Sequence, residues 1–402
     1  MKTILFVINT FGVGGGAEKA LLELLNQINY KEYEVHLYVL TGQGDLIAQL
    51  PGEVKLLNKR YFPISVLDHK GKVQLMKTAA KAMIVRGTIL KRAGYLAKNL
   101  VDMIKAGEIR MDKLLWKILS DGAQRLDMEY DLAVAYLEGG STYYISSHVK
   151  AKKKAAFIHI DYTDAGYNRK LDEECYLSFH HIFTVSESVR KAFVLAYPEC
   201  IQKTTVLYNL INREKIIDKS MEAGGFPDNY DGFRILTVGR LVPQKAISMA
   251  INTMKILKKT GKPFRWYVLG EGELRKELQE QIYEMGLEED FFLLGMKENP
   301  YPYYAQCDLY AHTAHYEGMS VAIEEAQVLG CAIVAVEYHG VQEQIIDGID
   351  GRISKFDPEV LAENIIDLFD HPKEMHDYAA AASEKEQPDH RKEVEKLLKL
   401  IL

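Results

Sequence analysis

The sequence predicts an α/β chain with parallel sheets, on three observations. Apolar strand-like runs alternate with helical patterns along most of its length. Two of those runs open into turns that lead directly into helices. The 402 residues exceed one ordinary domain, so two such series are expected. Hydrophobic residues at 48% and charged residues at 26% exclude a disordered or fibrous chain. A net charge of −6 argues against a general nucleic-acid binder. Cys175, Cys200, Cys307 and Cys331 form no CxxC pair, which argues against a zinc site or redox dithiol.

The first strand is expected over residues 3–9, a glycine loop over 12–16 and a helix over 17–28. The opening apolar run is short and ends in glycines, unlike a secretory signal, and no stretch approaches the ~20 apolar residues of a membrane span. A cytoplasmic protein is the expectation. Strands follow at 34–40, 132–136, 154–159, 181–185 and 204–207, with a helix at 187–196. Residues 209–232 are polar, glycine-bearing and weakly periodic, so they are expected to link two domains. A second series then begins. Its strands are expected at 235–238, 265–269, 291–294, 309–312 and 332–336, its helices at 246–260, 273–285 and 320–329. Two Rossmann-like domains are therefore predicted.

One segment departs from the alternation. Residues 70–117 carry twelve Lys/Arg and three Asp/Glu, a local excess of nine positive charges in an otherwise acidic chain. Apolar or small residues recur at Val73, Met76, Ala80, Met83, Gly87, Leu90, Gly94, Ala97, Val101 and Ile104, the spacing of one helical face. Lys91, Lys98 and Lys105 recur every seventh residue on another. Such a basic amphipathic segment can lie on an anionic membrane or bind phosphates; it can equally be a solvated helix packed on its own domain.

Three motifs carry chemistry. Gly12-Val-Gly14-Gly15-Gly16-Ala17 fits the spacing of a dinucleotide loop between strand and helix. The next strand ends Tyr38-Val-Leu-Thr41-Gly42 without the acid that would hold a ribose, which leaves a tight turn or a loop approaching another substrate. Val238-Gly239-Arg240-Leu-Val-Pro-Gln-Lys245 places two cations between a strand end and a helix start, where a diphosphate would fit. In Glu317-Gly318-Met319-Ser320-Val-Ala-Ile-Glu324-Glu325, Ser320 stands as a helix N-cap and Glu325 lies within an apolar helix. Glu325 is either a surface carboxylate or a buried acid that needs a hydroxyl or cation partner.

Taken together, these segments resemble the retaining GT-B glycosyltransferases of family 4. The resemblance extends through Leu269-Gly-Glu-Gly272, Arg275, Leu294-Gly-Met296, Asn299-Pro300, the E-x7-E element Glu317 to Glu325, His339 to Glu343 and Asp347-Gly348. In the amino-terminal half it includes Gly14 to Glu18 and Phe157 to Asp161. It implies a GT-B fold, with two Rossmann-like domains facing across a cleft. The expected boundaries are an acceptor-side domain over 1–210 with the basic insertion at about 70–117, a nucleotide-sugar domain over 211–384, and a final helix over 385–402 packing back on the first domain. By resemblance, Arg240 and Lys245 neutralise the donor diphosphate and Glu325 binds ribose hydroxyls. Glu317, with the amides of Gly318, Met319 and Ser320, holds the donor sugar and pyrophosphate. Met296 lies against the base, Gly239 opens the cationic loop, and His159 faces the donor sugar. Gly15 and Gly16 belong to the loop near the diphosphate and acceptor.

The resemblance implies retaining transfer from a nucleotide-sugar donor, expected to be a UDP-sugar, to a hydroxyl of a glycan or lipid-linked glycan. No cofactor and no metal are expected, because the two cations supply the charge. A place at the inner face of the membrane, on an anionic surface, is a further expectation. Ala246, and Met319-Ser320 for the commoner Phe-Gly, depart from the pattern and put donor-sugar identity in doubt. Two alternatives stand beside this reading: a nucleotide-sugar epimerase on the same fold, and a transferase-like subunit that only binds.

Overall fold

The computed structural model describes residues 1–12, 14–84, 87–107 and 110–402. Val13 of the glycine loop, and Val85, Arg86, Glu108 and Ile109 of the basic segment, lie outside the described residues. The chain divides into two compact units, Met1–Leu210 with Pro388–Leu402, and Ile211–Gln387.

Unit 1 contains β1 (Lys2–Ile8), α1 (Gly16–Asn26), β2 (Tyr33–Val39), β3 (Lys55–Leu56), α2 (His69–Ile84), α3 (Thr88–Lys91), α4 (Ala93–Ala106), α5 (Met111–Gly122), β4 (Glu129–Ala135), α6 (Gly140–His148), β5 (Lys150–Ile158), β6 (His181–Thr184), α7 (Glu187–Ala196) and β7 (Thr204–Val206). The strands form one parallel sheet in the order β3-β2-β1-β4-β5-β6-β7. Crossover helices cover a parallel sheet on both faces, which is why Ile4 to Ile8 is an unbroken, fully buried apolar run. β5 begins four residues before the expected strand. Its amino end carries Lys150, Lys152 and Lys153, which are exposed, so that stretch has no apolar signature.

The basic segment is not one helix. Gly87 (φ +63°) in the left-handed conformation precedes α3, Arg92 separates α3 from α4, and Gly107 (φ +74°) ends α4 in the left-handed conformation, so the segment is divided into α2 to α5.

Unit 2 contains α8 (Arg213–Ser220), β8 (Phe233–Val238), α9 (Ile247–Lys259), β9 (Phe264–Leu269), α10 (Arg275–Glu284), β10 (Phe291–Gly295), α11 (Tyr301–Gln306), β11 (Leu309–His312), α12 (Val321–Val328), β12 (Ile333–Val336), β13 (Arg352–Ser354), α13 (Pro358–Asp370) and α14 (Pro372–Ser383). Its parallel sheet runs β10-β9-β8-β11-β12-β13. Both sheets reverse strand order beside their first strand, and ligands of open α/β sheets bind at the carboxyl ends next to that reversal. Part of the expected linker is helical. Asn212 caps α8 by accepting from the Lys215 amide at 2.9 Å, a local signal that the polar composition around it masks.

The last helix, α15 (His390–Leu398), belongs to unit 1. Val394 and Leu397 join the apolar core of that unit, and Glu393 accepts from the Tyr208 amide at 3.0 Å. Among the described residues, no helix is long and apolar enough to cross a membrane.

Candidate functional site

In unit 2 the cationic loop leaves the carboxyl end of β8. Gly239 donates its amide to Leu269 O at 3.0 Å, which holds the loop against the end of β9. Gly270 packs so closely there that an added Cβ would lie 1.8 Å from Gly239 O, and its φ of +157° also favours glycine. The Arg240 guanidinium is exposed and has no partner among the described residues. Lys245 ends the loop. Ala246 follows with φ +47°, the left-handed conformation that makes glycine the easier residue at this place.

This loop is stitched to the segment after β11. His315 N donates to Gln244 O (2.9 Å), Gln244 Nε2 to Tyr316 O (2.9 Å) and Thr313 Oγ1 to Lys245 O (3.0 Å). The result is an ion pair between Lys245 Nζ and Glu317 Oε1, with both side chains largely buried. Gln244 Nε2 also reaches Glu317 Oε2 at 3.3 Å. His312 Nε2 lies 3.3 Å from Glu317 Oε1, off the line for a hydrogen bond. Burial alone would raise the Glu317 carboxyl, but Lys245 and His312 together hold it at about 2. Glu317 is thus engaged in fixing Lys245, a role the sequence did not assign to it. His312 was also missed: one histidine at a strand end carries no signal of its own.

Ser320 stands at the N-cap position of α12, but its hydroxyl makes no cap bond and, though buried, has no partner among the described residues. Its amide, expected among the pyrophosphate donors, gives its hydrogen to Gln344 Oε1 at 2.8 Å instead. Gly318 is buried and Met319 partly so. Glu325 is the buried acid of the two alternatives. Its oxygens accept from Tyr301 Oη (3.0 Å) and Tyr304 Oη (3.3 Å), so its burial is satisfied without a ribose. Met296 follows β10, partly buried beyond Gly295.

In unit 1, Gly15 precedes α1 and Gly16 opens it. A Cβ on Gly15 would sit 1.8 Å from Glu18 Oε2, so the turn requires glycine for the Glu18 carboxylate to fold back. His159 follows β5, with its ring against Tyr136 (4.9 Å between centroids) and Phe157 (5.7 Å). Burial lowers its pKa to about 3, against the pull of a bond to the Tyr136 backbone. The imidazole is therefore neutral at physiological pH, and Nε2 is buried without a partner among the described residues. Asp161 accepts from the amides of Thr163 (3.0 Å) and Asp164 (3.1 Å), the local turn role of an aspartate.

Glu138 is the residue that sequence reasoning missed here. It follows β4 and accepts from the amides of His159 and, at 3.2 Å, Ile160. Burial pushes its carboxyl up to about 7, against these bonds. Its carbonyl accepts from Asn9 Nδ2 (2.9 Å), and Asn9 Oδ1 accepts from the Ser141 amide (2.7 Å). Glu138, through its carboxylate and its carbonyl, thus ties together the ends of three strands. The signal was an acid between an apolar run and the pair Gly139-Gly140.

Among the described residues, Asp367, His371 and Glu374 are close enough to hold a metal ion. Arg352 already pairs with both carboxylates, so the positive charge there is supplied by the protein.

The two sheets with their loops are those of the GT-B fold. The structure of Anabaena HepE in complex with UDP and glucose matches 99% of this chain and 99% of its own, with a TM-score of 0.69 at 17% identity. Residues 221–385 match the family described as glycosyl transferases group 1. The chain has the GT-B fold, and these residues belong to that family. The N-acetylgalactosamine-N,N'-diacetylbacillosaminyl-diphospho-undecaprenol 4-alpha-N-acetylgalactosaminyltransferase of Campylobacter jejuni is 35% identical over 159 residues, 39% of this chain and 42% of that one. The match thus spans less than half of this relative. A second Campylobacter jejuni relative, a GalNAc-alpha-(1->4)-GalNAc-alpha-(1->3)-diNAcBac-PP-undecaprenol alpha-1,4-N-acetyl-D-galactosaminyltransferase, is 24% identical over 372 residues, 92% of this chain and 89% of its own.

Proposed function

We propose that the protein is a retaining, metal-independent glycosyltransferase that moves a sugar from a UDP-sugar to a hydroxyl of a glycan or lipid-linked glycan. The observation that carries this reading is Lys245, pinned by buried Glu317, with the unpartnered Ser320 hydroxyl three residues beyond Glu317 at the start of α12. A fixed cation, an exposed Arg240 and a hydroxyl at a helix N-terminus suit a diphosphate. The relatives' names speak of diphospho-undecaprenol glycans, which supports a lipid-linked acceptor. The complexes of HepE with UDP support the nucleotide.

In the proposed reaction the bond from the sugar's anomeric carbon to the diphosphate breaks as the acceptor hydroxyl bonds to the same face. The acceptor proton passes to a departing diphosphate oxygen. Arg240 and Lys245 stabilise the charge that grows on the leaving group, the task a metal ion performs elsewhere. Neutral His159, oriented by Glu138 through the backbone, is assigned to a sugar hydroxyl through Nε2. Glu325 is assigned to the ribose, sharing its oxygens with the two tyrosines. Gly15 and Gly16 are assigned to the loop beside the donor diphosphate and the acceptor.

Glu325→Gln keeps an acceptor for the tyrosines and is expected to weaken UDP binding about tenfold, the loss of roughly one charged hydrogen bond. Calorimetric titration with UDP reads this, and an unchanged affinity removes Glu325 from the site. EDTA is expected to leave the transfer rate unaltered; a strict need for Mg²⁺ or Mn²⁺ contradicts the metal-free step. Product formed from donor alone, with no acceptor, would favour an epimerase.

A further inference from the structure

The apolar row that the sequence places on one helical face does not face the protein. On α2, Val73, Met76, Ala80 and Ile84 point outward, with Met76 71% and Ile84 80% exposed. The opposite side of α2 packs on α5, where Gly122 fits against Ala82. On α4, Gly94, Ala97, Val101 and Ile104 form a second outward row, with Ile104 57% exposed. Leu90 of α3, between them, is 81% exposed. Of the 20 exposed large hydrophobic residues among those described, eight fall between Val73 and Met111, about a tenth of the chain. Single exposed apolar residues are ordinary, but such a concentration marks a surface that meets something apolar.

The charges beside these rows say what that is. Lys72, Lys77 and Lys81 flank the row on α2, and Lys91, Lys98 and Lys105 flank α3 and α4; all six are exposed. Three other cations of the segment are used internally. Arg92 pairs with Asp121 (2.6 Å) and Glu173 (3.1 Å), Lys117 is buried against Glu173 (2.8 Å), and Lys113 stacks over Tyr167. Asp102 on α4 pairs with Lys170. A surface that offers negative headgroups above an apolar layer matches rows and lysines together. We infer that α2 to α4 dock on the face of an anionic lipid bilayer, with the two apolar rows entering the headgroup boundary.

The test uses the full chain and vesicles of phosphatidylcholine with or without phosphatidylglycerol. Co-sedimentation is expected with the anionic vesicles at low salt, falling at least tenfold in 0.5 M salt as screening shortens. Two variants separate the two components. Lys91→Gln/Lys98→Gln/Lys105→Gln should lose binding at least tenfold, and Met76→Ser/Ile84→Ser/Leu90→Ser should lose it as much with every lysine retained. All six positions are exposed, so thermal unfolding and UDP affinity should match the parent chain, which keeps this test apart from that of glycosyl transfer. Failure to bind anionic vesicles overturns the inference. So does equal binding to pure phosphatidylcholine, or apolar variants that bind like the parent. Concentration-dependent dimerisation abolished by the serine variant, without vesicle binding, would instead make the face a contact between copies.

Discussion

Arg240→Ala is expected to lower turnover by about 10²-fold or more, about 2.7 kcal/mol of lost transition-state stabilisation, while leaving stability within about 0.5 kcal/mol. The guanidinium is exposed and has no partner among the described residues, so its loss should leave the fold intact. Lys245→Ala should cost as much in turnover, but it also leaves Glu317 buried without its cation. A double variant, Lys245→Ala/Glu317→Gln, removes that stranded charge and should recover stability without recovering rate. Steady-state kinetics beside denaturant unfolding separates the two effects. Folded Arg240→Ala and Lys245→Ala enzymes with near-normal turnover would remove this loop from the chemistry.

Glu317→Gln carries the largest expected effect on stability. Removing one partner of a buried ion pair costs about 3–5 kcal/mol, because the other charge is left unpaired. The Glu317 carboxyl is held at about 2, below its ordinary 4.5. Its contribution is therefore complete above pH 4.5 and is lost as the pH falls toward 2, an amount of about 3 kcal/mol. Denaturant unfolding at pH 7, 4.5 and 3 should show the parent chain losing stability on acidification more steeply than Glu317→Gln. Parallel slopes would show that the Lys245 pair does not hold this carboxyl down.

The elements most legible in the sequence were those built by burial on two faces. Ile4 to Ile8, Ile235 to Val238 and Ile333 to Val336 announce themselves as apolar runs, and the turns after β1 and β8 follow from their glycines. Local capping was less visible, so α8 was lost in a polar stretch whose only clue was Asn212. The cations Arg240 and Lys245 were legible because spacing alone puts them at a strand end. What fixes Lys245 was not, since Glu317 and His312 come to it through tertiary stitching some seventy residues along the chain. Glu138 was hidden for the same reason: its partners are backbone amides just past the end of β5. Periodicity found the apolar rows of α2 and α4 but carries no information on which way a face turns.

The return of α15 to the amino-terminal core has a consequence for biosynthesis. All seven strands of that unit have been synthesised once Val206 is made, yet its core still lacks Val394 and Leu397. During translation of the intervening residues the nascent sheet must persist with part of one flank uncovered. The first unit to begin folding is thus the last to be sealed, and a ribosome that stalls within unit 2 leaves an unfinished hydrophobic surface upstream for chaperones to shield.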